Sequence, residues 1–198
     1  MGCLKVIALT GLLVVVATVF SVSAQTPAPR PDTPSTMIES LLMTHGLMIA
    51  KDFYPQGELN GTVGGGSVDL DAMIVKAGTA APVKGLRIEV KEGGRLERSN
   101  TSFLDLDELD DLAKALDYFS SSDSEVQPAN LANTDPAPHR ETTFSTRGSF
   151  RLTCFGQGGS RSCAVESGSV GGTRVFISGS QLVRLKTLVA NARATVLK

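Results

Sequence analysis

A recurrence of apolar residues limits the folds open to this chain more than any other feature. With a shift of 73 positions, Phe103 falls on Phe176, Leu104 on Ile177, Leu109 on Leu182, Leu112 on Leu185 and Leu116 on Val189. Upstream, Gly66-Ser-Val-Asp-Leu70 matches Gly148-Ser-Phe-Arg-Leu152 at a shift of 82. The nine extra residues of the first copy are expected in one long hairpin loop. Inside each copy the pattern changes from strand to helix. Val68, Leu70, Ala72 and Ile74 alternate with Asp69 and Asp71, the period of a half-buried strand. Leu182, Leu185, Val189, Ala192 and Val196 recur at helical spacing.

These patterns predict a short helix over 36–44, with Ile38, Leu41 and Leu42 on one side. Strands follow over 46–54, 67–75, 85–90 and 95–104, and a helix over 106–119. Gly57, Gly61 and Gly64 to Gly66 mark turns. After a polar linker, 120–140, come strands over 141–145, 149–155, 161–166 and 173–177 and a helix over 179–196. The expected fold class is α+β. It has two divergent units of a four-strand antiparallel sheet plus a helix, 36–119 and 141–198, forming one compact domain.

The N-terminal stretch reads as an export signal. Lys5 precedes an apolar run from Val6 to Phe20, and Ser21-Val-Ser-Ala24 ends in the small residues that a signal peptidase accepts. The run is shorter than the ~20 residues that span a bilayer. Cleavage after Ala24 is therefore expected, with 25–35 as a Pro-rich flexible tether and no membrane span left. Cys3 precedes the apolar run, and Val6 stands where a myristoylation signal needs Ser or Thr, so lipid anchoring is not expected. Removal of Lys5 changes the formal net charge from −1 to −2. That balance and an aromatic content of 5% argue against a nucleic-acid or anionic-membrane surface.

Cleavage also removes Cys3 and leaves Cys154 and Cys163. In an exported chain such a pair reads as a disulfide. They flank a Gly-rich segment, 155–162, that would join two strands, and their expected counterparts in the first unit are Ala72 and Val90. A redox pair would favour Cys-x-x-Cys at a helix start. Gly156-Gln-Gly-Gly-Ser-Arg161 looks superficially like a phosphate loop, but a strand and not a helix is expected after it.

The most acidic stretch, Asp105 to Asp117, carries six carboxylates. Asp105 falls on Ser178 and Glu108 on Gln181, and both pairs fit a helix capping box. Asp107, Asp110 and Asp111 fall on Ser180, Val183 and Arg184, so the charge itself is not repeated. The leading reading is capping plus a solvated face. A divalent metal on Asp107 and Asp111, or a cationic partner, are the alternatives. His45 and His139 are the only histidines, and no HExxH, Cys/His cluster or Gly-x-Ser-x-Gly occurs. No catalytic residue, metal or cofactor is therefore assigned. Asn60-Gly-Thr62 and Asn100-Thr-Ser102 are glycosylation sequons, relevant only in a eukaryotic secretory host.

The duplicated four-strand-plus-helix order resembles the architecture of the PUR and Whirly single-stranded nucleic-acid-binding proteins. The tail Val175-Phe-Ile-Ser-Gly-Ser-Gln-Leu-Val-Arg-Leu-Lys186 is similar to the strand-cap-helix ending of their units. A second resemblance is to a family of exported bacterial proteins of unknown activity. It rests on "FLDLDEL", Phe103 to Leu109, followed by a helix and then by "STRG", Ser145 to Gly148. The first resemblance implies a fold but not nucleic-acid binding, which in those proteins uses basic, aromatic sheet faces. The functional expectation is a non-catalytic binding or structural module, exported to the periplasm or beyond. Its partner is open, an envelope protein being one candidate. The alternatives are an envelope hydrolase using His45 or His139, and single-strand nucleic-acid binding.

Overall fold

A computed structural model describes residues 35–95, 97–121, 139–157, 160–168 and 171–198. The expected export signal and nearly all of the expected tether and linker lie outside the described residues. The fold is α+β, with two four-stranded antiparallel sheets, each followed by a helix. A short helix α1 (Met37–Leu42) leads into strands β1 (Ile49–Asn60), β2 (Ser67–Ala77), β3 (Val83–Glu92) and β4 (Arg98–Asp105). A 3-10 turn, Leu106–Glu108, opens helix α2 (Leu109–Ser120). The second half runs β5 (His139–Ser145), β6 (Phe150–Gln157), β7 (Ser160–Ser167), β8 (Thr173–Ile177) and helix α3 (Gly179–Leu197). Each sheet is a simple meander, β1-β2-β3-β4 and β5-β6-β7-β8.

One core serves both halves. Val68, Leu70, Ala72, Leu86, Ile88, Val90 and Leu104 of the first sheet join Phe150, Leu152, Val165, Val175 and Ile177 of the second. Leu109, Leu112 and Leu116 of α2 and Leu182, Leu185, Val189 and Ala192 of α3 complete it. The placement of α3 interlocks the halves. It follows the second sheet in sequence yet lies against β1, β2 and β3 of the first, and against α2. Gln181 Nε2 donates to the Asn60 carbonyl at the end of β1. Leu188 lies where a Cβ on Gly57 would come within 3.1 Å of its Cδ2.

That contact explains one difference from the sequence reading. Gly57 was expected in a turn, and β1 was expected to end at Tyr54. The strand instead continues to Asn60 through a register shift between Pro55 and Gly57. β1 is an edge strand, where a proline without an N–H is tolerated. Gly57, at φ 146°, relieves both the bulge and the approach of Leu188.

The register also relocates the nine extra residues. Ala72 pairs with Leu86, 14 positions on, whereas its counterpart Cys154 pairs with Cys163, 9 positions on. Leu86 pairs with Leu104, 18 positions on, whereas Cys163 pairs with Ile177, 14 positions on. The insertion is thus divided, five residues in the β2–β3 hairpin and four in the β3–β4 hairpin. The counterpart of Cys163 is accordingly Leu86 and not Val90. Loop lengths in a meander change independently, because each hairpin closes on its own pairing.

Cys154 and Cys163 form a disulfide with Sγ–Sγ 2.02 Å, directly across β6 and β7 and buried in the shared core. The bond replaces an Ala–Leu pair of the first sheet. Closing so short a loop stabilises by about 2.5–3 kcal/mol on the chain-entropy account. Reduction should therefore lower Tm by about 5–12 °C. Peptide mass spectrometry without reductant should recover the two cysteines linked, and two free thiols in the native protein would overturn the assignment.

The outer face of the first sheet carries a second, smaller cluster. Ile38 of α1 is fully buried against Met73 and Val75, with Leu41, Leu42 and Phe103 around it. Gly85 makes room, since a Cβ there would lie 2.6 Å from Ile38 Cδ1. Strand β2 is therefore apolar on both faces at this end. This accounts for Met73 and Val75, which interrupt the alternation seen in Val68 to Ile74.

Candidate functional site

Helix α1 is too short to persist by its own hydrogen bonds. Its local cap is complete: Thr36 Oγ1 accepts from the Glu39 N–H at 3.0 Å, and Glu39 Oε2 accepts from the Thr36 N–H at 3.2 Å. The remaining free N–H groups of the first turn are met from a distance. Asp105, at the end of β4, accepts from Met37 N–H at 2.6 Å and from Ile38 N–H at 3.1 Å. Its side chain is 4% exposed, and the charge lies at the positive end of the helix. Asp105 was expected to serve the helix that follows it. The Glu108 arm of that capping box is present, with Oε2 accepting from the Asp105 N–H at 3.1 Å. Both arms of that box are present, and the Asp105 carboxylate in addition reaches α1, 67 and 68 positions away in sequence. Ser178 and Gln181 behave as expected, each accepting from the other's N–H, at 3.3 and 2.7 Å.

The acidic stretch has a cation of its own. Arg147, in the turn before β6, sends NH2 to Asp107 Oδ1 at 2.6 Å and lies 3.5 Å from Asp105 Oδ2. Its backbone N–H donates to Glu108 Oε1 at 2.8 Å. The hydrogen bond and charge of Glu108, with Asp107 beside it, hold the guanidinium above its ordinary value, so it stays charged. Gly148 follows. A Cβ there would overlap the Phe103 carbonyl oxygen, so only glycine lets this turn lie flat on the end of β4. "FLDLDEL" and "STRG" are therefore two sides of one contact. It joins β4, the start of α2, the entrance of the second sheet and α1.

Oxygens of Asp105, Asp107 and Glu108 approach within 4.8 Å of one another, the one such acidic grouping among the described residues. Its electrostatics oppose a cation, since a guanidinium already lies against all three carboxylates. Asp111, the other expected ligand, is instead salt-bridged to Lys114 at 2.9 Å on the exposed face of α2. Asp110 and Asp117 reach across to Arg193 and Lys186 of α3 at 2.8 and 2.6 Å. Millimolar calcium should leave Tm unchanged within about 1 °C. A rise of several degrees, lost on replacing Asp107 and Asp111 by Asn, would restore the metal reading.

The remaining candidates are dispersed. His45 is exposed in the turn after α1, and His139 opens β5. Gly156 pairs with Arg161 and Gln157 with Ser160, so these four residues are in strands β6 and β7 and do not open a helix. Asn60 is exposed, whereas Asn100 donates from Nδ2 to the Gly171 carbonyl and the Ser102 hydroxyl is buried against Ser167. A second link between the halves centres on Glu92, which accepts from the Arg174 N–H at 2.8 Å and from Arg98. Burial alone would raise its carboxyl. The Arg174 and Arg98 hydrogen bonds outweigh that and hold it below its ordinary value. Its contribution to stability is present above the unfolded carboxylate pKa and is lost as pH falls through the lower, folded value.

The chain matches no protein-family model and none of the curated proteins compared with it. Among the described residues no helix is long and apolar enough to cross a membrane.

The sequence reading missed Arg147 and Gly148 as members of this contact. Gly148 did carry a signal, because the repeat sets it on Gly66. A Cβ on Gly66 would crowd the Lys91 carbonyl and Val175, so both repeated glycines mark a close approach of backbone.

Proposed function

We propose that this chain is an exported, non-catalytic module with a binding or structural role in a bacterial envelope. The observation that carries this reading is the saturation of its polar chemistry. Among the described residues, no buried side-chain nitrogen or oxygen lacks a hydrogen-bond partner, and the densest carboxylate cluster is closed by Arg147 from the same chain. Catalytic groups depend on perturbed, unspent polar atoms in a cleft. The buried disulfide supports an oxidising compartment and so favours export.

The hydrolase alternative gains no support at His45, which is exposed and has no hydrogen bond or ion pair among the described residues. For single-strand nucleic-acid binding the charge has the wrong sign on the first sheet. Glu58, Asp69, Asp71 and Glu89 outnumber Lys51, Arg87 and Lys91 on its outer face, and Arg87 and Lys91 are paired with these acids. Cross-linking in the native envelope should capture a discrete partner. A robust activity in a hydrolase panel that disappears with His45→Ala or His139→Ala would replace this reading with catalysis.

A further inference from the structure

Methionine suits irregular gaps in a core, because its thioether is polarizable and its side chain turns about three bonds. This chain uses it otherwise. Among the described residues only Met73 is buried, while Met37 is 63%, Met43 50% and Met48 93% exposed. Two of the exposed thioethers share a turn with a histidine. Met43, His45 and Met48 lie two and three positions apart between α1 and β1, in Met43-Thr-His-Gly-Leu-Met48.

The backbone of this turn is anchored, and its donor side chains are not. Met43 N–H donates to the Glu39 carbonyl at 3.0 Å, and Thr44 N–H to the Leu41 carbonyl at 3.2 Å. Thr44 Oγ1 donates to the Ser40 carbonyl at 2.9 Å, so the only hydroxyl of the segment is spent on α1. Gly46, at φ 78°, bends the chain, and a Cβ there would meet nothing within 4 Å, so the turn stands clear of its surroundings. His45 is exposed, and its ring has no hydrogen bond or ion pair among the described residues. Cα atoms two and three positions apart can be separated by at most about 7 and 11 Å, and the bend at Gly46 shortens the longer span.

We infer that Met43, His45 and Met48 bind a soft monovalent cation, copper(I) or silver(I), through both Sδ atoms and one imidazole nitrogen. Thioethers select copper(I) over hard cations, and imidazole suits copper as well. The segment 43–48 holds no Asp or Glu, so calcium and magnesium find no oxygen charge in it. Cys154 and Cys163 are joined in the disulfide, which leaves thioethers as the soft donors of the described residues. A d10 ion imposes no geometry through its d-electrons, so flexible thioether stems can close around it. The site lies within one turn of one chain and is independent of compartment and of any protein partner.

The test is a titration with silver(I), which is stable in air, followed by NMR of the methionine methyl groups and histidine rings. It uses the purified protein with Cys3→Ser, so that no free thiol competes. One equivalent should shift Met43, Met48 and His45 together and leave Met37 and Met73 in place. Met37 is the control for adventitious thioether binding, because it is more exposed than Met43. His45→Asn and Met48→Leu should each weaken binding by at least about tenfold, since losing a ligand costs no less than losing an outer-shell partner. Tm without metal should stay the same in both, as at other exposed positions. Copper(I) without oxygen should reproduce the silver(I) shifts, and calcium should cause none. Four outcomes would overturn the inference: no shift at Met43 and Met48, an equal shift at Met37, no loss of affinity in His45→Asn, or saturation at one ion per two chains, which would place the ion between copies. Cross-linking in the envelope tests the protein partner separately, so either reading can fail without the other.

Discussion

Cut in the linker and expressed separately, the two halves each fail to fold, and mixing them restores one cooperative melt. The first sheet leaves Leu59, Val68, Leu70 and Ala72 on the face that α3 covers, and α3 belongs to the second half. In the second half alone, Leu182, Leu185, Leu188 and Val189 of α3 lose the first sheet and α2 as partners. Burying one such side chain is worth about 1.5–3 kcal/mol. Losing four or five of them removes on the order of 10 kcal/mol, comparable to the whole stability of a domain. Circular dichroism and thermal melting of residues 35–121 and 139–198, alone and mixed, would measure this. A cooperative melt from either half by itself would show that the halves are independent, and the interlocked core would no longer explain the fold.

The second large effect is expected at Asp105. Asp105→Asn keeps the shape but removes the charge that meets the Met37 and Ile38 N–H groups, and it can turn an NH2 group toward them. Two charge-assisted hydrogen bonds weaken, and a buried donor is left facing donors. The cost should be about 3 kcal/mol. Tm should fall by about 6–12 °C, and amide exchange at Met37 and Ile38 should accelerate before the core opens. Asp107→Asn, on the same guanidinium but 70% exposed, should cost under about 1 kcal/mol. Equal losses at the two positions would show that Arg147, and not the seating of α1, accounts for the importance of Asp105.

The comparison of these two aspartates shows where the sequence could be read and where it could not. Spacing alone located the eight strands and three α-helices of the described residues, because apolar periodicity is a local property and the repeat supplied a second copy of nearly every element. The capping pair Ser178–Gln181 is local for the same reason, with its partners three positions apart. Asp105 looked identical to Ser178 by that test, yet its carboxylate also reaches a helix some 68 positions earlier. Gly57 looked like a turn residue, and only Leu188 of α3, lying over it, shows why it stands in a strand.

By itself, then, the order of residues determined the α+β class, the duplicated meander, the cysteine pairing and the apolar faces, since each follows from backbone periodicity within a few turns or hairpins. Only the tertiary structure decided which sheet α3 covers, which second helix Asp105 reaches and which cation closes the acidic stretch. Those depend on how two sheets and two helices share one core, and side chains brought together across 40 to 121 positions leave no periodic trace in either segment.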